Sequence, residues 1–232
     1  MKLNRVLSSI IMMLFFIGNY SAQECGNFIP MKEGYKWEVT NFNKKGKEEG
    51  KSVNTVSSVV NENGLTTAKV DIVSTDGKDE ITTSFDISCD GTTFKMGMTF
   101  FLPAEQMEQM QSVESMEVEL DMEDMEFPNE LEVGQDLKDA QMTMTAKMNG
   151  IQVMNTTTII KNRKVLGKES ITTASGTYDC FKIEQTSYVK MGFIEREVKS
   201  ISFLSEGIGV VRSESYDKKG ELDSYSEITK VF

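Results

Sequence analysis

Polar and apolar residues alternate along much of the chain. Residues 116–123 read Met-Glu-Val-Glu-Leu-Asp-Met-Glu, which puts Met116, Val118, Leu120 and Met122 on one parity and Glu117, Glu119, Asp121 and Glu123 on the other. Successive side chains of a strand point to opposite faces, so this period of two predicts a strand with one face in the core and one in water. A second pair of strands is expected around Asn149-Gly150, a dipeptide suited to a two-residue type I′ turn, where both positions need positive φ. With that turn, Met148 faces Ile151, Ala146 faces Val153, Met144 faces Asn155 and Met142 faces Thr157, and one face of the pair is mostly apolar.

Further turn signals stand at 43–46, 61–64, 76–77, 90–91 and 217–220, separated by β-branched and aromatic runs such as 36–42, 53–60, 66–74, 81–88, 178–189, 197–204 and 209–215. This spacing predicts a meander of about ten to twelve strands rather than alternating strands and helices. The fold class expected is all-β, a curved antiparallel sheet or half-barrel with one short helical excursion. The excursion falls at Pro103 to Gln111, which lacks β-branched residues, opens on a proline and places Met107 and Met110 three apart on one helical face.

The first residues change the expected compartment. Lys2 and Arg5 precede an apolar run from Ile10 to Ile17, followed by Gly18, Ser21 and Ala22. These are the three parts of a secretory leader, and the run is short of the roughly 20 apolar residues a membrane-spanning helix needs. Residues 1–22 are therefore read as a signal peptide and 23–232 as one exported β domain, periplasmic or secreted, with no transmembrane segment after cleavage. Glu24 directly before Cys25 does not suit lipid attachment, which wants a small residue there.

The chain carries Lys+Arg 25 and Asp+Glu 36, a net charge of −11; without Lys2 and Arg5 the balance is 23 against 36, or −13. Such a charge repels nucleic acid and anionic lipid headgroups. In an oxidising compartment the three cysteines allow one disulfide and one spare thiol. Three pairings are open. Cys25–Cys89 is favoured because it would tether the N-terminus to a strand end, with Cys180, beside Phe181 in a strand, left as a buried thiol.

No catalytic or metal-binding residues are selected. Histidine is absent, which excludes Ser-His-Asp and Cys-His sites, and no nucleophile elbow or phosphate loop occurs. The acidic residues of 104–126 match no calcium loop and read as a solvated face. Sixteen methionines are the unusual feature. Thioethers suit Cu(I), but paired methionines on strand faces more simply line a core or an adaptable cavity. Trp37, the sole tryptophan, shares a face with Tyr35 and Val39, a core or cavity position.

A likeness to a family rests on Ala174-Ser-Gly-Thr-Tyr-Asp-Cys-Phe-Lys-Ile183, Gly207-Ile-Gly-Val-Val-Arg-Ser-Glu214, Tyr216-Asp-Lys-Lys-Gly220, and, near the start, Cys25, Pro30-Met-Lys-Glu-Gly34 and Trp37. Together these resemble the TapB-like, DUF-type exported bacterial β-proteins of unknown function. The pattern departs at Ala174, where a proline is expected, and in the methionine-rich acidic middle. The resemblance implies a half-barrel similar to the lipoprotein carriers LolA and LolB. It implies no activity, cofactor or catalytic residue.

The expected function is thus a non-catalytic exported protein. Its concave sheet would hold an apolar or amphipathic, lipid-like small molecule at Trp37, Met107, Met110, Met142 and Met144. The alternatives are a structural or partner-binding envelope protein, and a methionine-rich Cu(I) binder.

Overall fold

A computed structural model of the chain describes residues 28–76, 79–102, 113 and 115–232. The leader 1–22, Cys25, and the excursion with Met107 and Met110 lie outside the described residues. The architecture is all-β. Its strands are β1 (Lys36–Asn43), β2 (Glu48–Glu62), β3 (Leu65–Asp76), β4 (Asp79–Cys89), β5 (Thr93–Met96), β6 (Met116–Glu123), β7 (Met125–Pro128), β8 (Ala140–Met148), β9 (Ile151–Thr173), β10 (Gly176–Met191), β11 (Ile194–Ser205), β12 (Gly209–Tyr216) and β13 (Leu222–Val231). One helical element is described, a single 3-10 turn at Met98–Phe101. No helix of the described residues is long and apolar enough to cross a membrane.

All thirteen strands join one sheet in the order β6-β8-β9-β10-β11-β12-β13-β1-β2-β3-β4-β5-β7. Every pairing is antiparallel. The two edge strands, β6 and β7, are separated in the chain only by Asp124. One stretch of chain therefore pairs with β8 through its first half and with β5 through its second. The sheet is nearly closed on itself, further round than the half-barrel expected. Bulges assist the curvature by bending the strands they interrupt. They include Thr229 in β13 opposite β1, Ser57 in β2 and two along β9 opposite β10.

The Asn149-Gly150 turn forms as expected, with φ of 51° and 76°. Its register departs from the sequence reading after two pairs. Met148 faces Ile151 and Lys147 faces Gln152, but a bulge then makes Ala146 face Met154, Met144 face Thr156 and Met142 face Thr158. The extra residue shifts the inward parity by one, so Thr156, Thr158 and Ile160 turn inside with the methionines. Strand β6 has the predicted bounds and alternation, except that Met122 is 40% exposed at its end.

The interior is filled by Phe28, Trp37, Val56, Val70, Phe85, Ile87, Phe94, Met98, Met142, Ile160, Ile183 and Ile228. Burying each such side chain contributes about 1.5–3 kcal/mol. A second, smaller cluster holds Cys180, Phe203 and Val211. Cys180 and Phe181 are neighbours that point to opposite faces, which is why they fall in different clusters.

Candidate functional site

The barrel is not solidly packed. A cavity of about 200 Å³ lies within it, walled by residues from most of the strands. Trp37 and Val39 come from β1, Phe85 from β4, Met96 from β5, Met125 from β7 and Val210 from β12, while Phe100 and Phe101 come from the 3-10 turn and Ile29 and Ile208 from loops. Period-two alternation delivers these side chains inward from opposite walls. Phe100 is 44% exposed and packs edge-on against Phe85 at 5.1 Å, so the cavity reaches the surface beside it. The Trp37 ring lies 5.4 Å from that of Tyr35.

Gly209 closes one side. Its φ of +103° favours glycine, and a Cβ there would come within 3.0 Å of Ile29 Cγ1. The Gly-Ile-Gly motif thus lets the β12 backbone approach the N-terminal segment closely.

Polar groups are few and uncharged. Asn54 (β2), Gln185 (β10), Ser202 (β11), Ser213 (β12) and Ser226 (β13) share the lining, and no Asp, Glu, Lys or Arg does. Asn54 sits opposite Trp37 and is only 4% exposed. Its Nδ2 has no hydrogen-bond partner among the described residues. An orphaned donor of this kind costs about 1–3 kcal/mol.

The wall that carries Met125 is held by a buried arginine. A β9 bulge at Asn162, whose φ is 55°, turns Arg163 inward, and the side chain is 1% exposed. Its Nη1 donates to the carbonyls of Glu126 (3.1 Å) and Lys138, and the guanidinium lies 4.6 Å from the centre of the Phe127 ring. Burial lowers its pKa to about 10, so it stays cationic at neutral pH. Burial also acts on Glu126, but Lys95 at 3.2 Å and Lys138 at 3.6 Å outweigh it and hold the carboxyl below its ordinary range.

Of the residues expected to bind a ligand, Trp37 lines the cavity. Met142 and Met144 are buried on β8 without lining it, and Met107 and Met110 lie outside the described residues. Asn54, Phe85, Phe100, Met125 and Gln185 were not singled out from sequence. For Asn54, the available signal was a polar residue on an inward parity. Cys89 is 1% exposed at the end of β4, and Cys180 is a buried free thiol whose pKa burial raises to about 11.

An apolar surface occurs at two neighbouring hairpin tips. Phe193 is fully exposed and Ile194 is 64% exposed at one tip, and Ile151 is 70% and Val153 53% exposed at the other, with Val153 beside Met191 and Gly192.

The profile described as DUF3108-like matches residues 32–228. Among solved structures, a candidate exported protein with a YmcC-like fold from Bacteroides fragilis superposes with a TM-score of 0.70 at 21% identity, covering 90% of this chain and 100% of its own. A candidate lipoprotein from Parabacteroides distasonis gives 0.72 at 21% identity with the same coverage. At that identity the likeness is one of fold. Among curated proteins, no sequence matches. The expectation of a DUF-type exported-protein family holds in this form, whereas the TapB label and the likeness to LolA and LolB find no support in these comparisons.

Proposed function

The chain belongs to the DUF3108-like family, and on that footing we propose that it is a non-catalytic envelope protein whose hollow β interior binds a small apolar or amphipathic molecule. The observation that carries this reading is the cavity of about 200 Å³ walled by Trp37, Phe85, Met96, Phe101 and Met125 and open beside Phe100. Ligand sites are typically concave and mostly apolar with a few placed polar groups, and this lining has that composition. Its hydroxyls and amides have no acid or base beside them in the lining, which supports binding over catalysis.

Placement in the envelope is supported by the leader-like residues 1–22 and by fold neighbours described as exported or as a lipoprotein. A Cys25–Cys89 disulfide belongs to the same proposal. Phe28 packs 5.8 Å from Phe94, the register partner of Cys89. Cys25 is three residues from Phe28, a reach of up to about 11 Å, and Cys180 is free and buried elsewhere. Non-reducing peptide mapping should recover the two cysteines in one linked peptide.

The test of the binding function is a titration with 1-alkanols of increasing length, followed by Trp37 emission, together with solvent extraction and mass spectrometry of the purified protein. Saturable binding with a chain-length cut-off is expected. An emission spectrum indifferent to every alcohol, with nothing extracted, would overturn the proposal. A second reading, docking of an envelope partner, draws on the exposed Phe193 tip; in-cell crosslinking from that position distinguishes it.

A further inference from the structure

We infer that the molecule held in this cavity is uncharged where it enters and presents a hydrogen-bond acceptor to the Asn54 side chain, its apolar body lying against Trp37, Phe85 and Met125. The inference rests on the proposed binding function and specifies its chemistry.

Three observations converge. Asn54 is almost completely buried, belongs to the lining, and its Nδ2 finds no acceptor among the described residues. Buried donors are normally satisfied, so an unsatisfied one in a cavity wall marks where an acceptor of the occupant sits. A carbonyl, ester or ether oxygen meets that need. The lining offers no cation to a carboxylate or phosphate, and an ion desolvated there without a partner would be strongly disfavoured. Neither nearby cation lines the cavity: Lys95 pairs with Glu126, and Arg163, whose Nη1 holds two backbone carbonyls while its Nε and Nη2 have no partner among the described residues, lies outside the lining. Finally, the volume of about 200 Å³ modestly exceeds the roughly 150 Å³ of an engineered apolar cavity that accepts benzene. The inserted portion is therefore about one substituted ring, or a short branched chain, in size.

Three probes of nearly equal shape separate these terms: ethylbenzene with no acceptor, acetophenone with one neutral acceptor, and benzoate with a charge. Calorimetric titration at neutral pH should rank acetophenone about tenfold tighter than ethylbenzene, the worth of one buried hydrogen bond, with benzoate weakest. Asn54→Leu, similar in size and free of the orphaned donor, should fold at least as stably as the parent. It should bring the acetophenone-to-ethylbenzene ratio to about one while retaining ethylbenzene. Equal affinities in the parent protein, a preference unchanged in N54L, or tightest binding of benzoate would each overturn the inference and leave a hollow binding protein. Binding of none of the three would overturn both.

Discussion

The barrel wall is held together in two different ways around its circumference. From β8 to β13, and again from β1 to β4, each strand pairs with its neighbour in sequence through a hairpin, and the first and last strands meet where β13 pairs β1. Turns, alternation and cross-strand pairs maintain this meander locally. In the remaining arc β5 pairs with β7 and β6 with β8, but these are not hairpins, and no ladder joins the two edges β6 and β7. There the sheet is joined by strands that change partner at Asp124, by Asp124 Oδ1 accepting from Met98 N at 3.4 Å, and by Arg163 reaching across to the Glu126 and Lys138 carbonyls. The seam borders the cavity, since Met96 and Met125 lie in it, whereas Asn54 and Trp37 belong to the meander. A hairpin wall tolerates local damage, while a closure made of a few long-range contacts does not.

Arg163→Ala should therefore have the largest effect. It removes the donor from the Glu126 and Lys138 carbonyls and empties the space against Phe127, a loss of about 3 kcal/mol. Urea unfolding measures it, and Arg163→Met, which refills the volume without a buried charge, should recover part of the loss. Gly97→Ala comes next. A Cβ there would stand 2.9 Å from the Asp86 carbonyl oxygen, a backbone atom with little room to move, and the expected cost is about 2 kcal/mol. In the meander, Gly150→Ala meets nothing within 4 Å and strains only its own φ of +76°, about 1 kcal/mol. Equal losses for R163A and G150A would erase the distinction between seam and meander.

The smallest effect concerns pH. Asp90 Oδ1 accepts from the Thr92 hydroxyl and from the Thr92 and Thr93 amides, which lower its pKa to about 2 from 3.8. A depressed carboxyl contributes stability that is complete above the unfolded value near 4 and lost as pH falls through 2. Its exposure keeps the contribution small. Asp90→Asn, measured by thermal unfolding between pH 4 and pH 2, should flatten that part of the profile slightly.

The meander was legible in sequence and the seam was not. Asn149-Gly150 and the Met116–Glu123 alternation each act within a few residues, so the pattern carried them into the structure. The bulge opposite Ala146 moved the threonines of β9 inward because a single inserted residue reverses parity, and nothing in the local pattern announces it. Arg163 stands among Lys161, Asn162 and Lys164 and reads as surface; only the bulge that re-aims it makes it core. In the candidate site, Trp37 was visible as a lone large aromatic on an inward parity. Asn54 and Gln185 were hidden because their interest lies in what surrounds them across the barrel.

The hollow itself can be probed without reference to any natural ligand. A crystal of the protein pressurised with xenon should show the gas bound among Trp37, Phe85, Phe101 and Met125, the apolar side of a cavity large enough to accept it. An interior that takes up no xenon, filled instead by side chains or by a chain of ordered waters, would contradict the account.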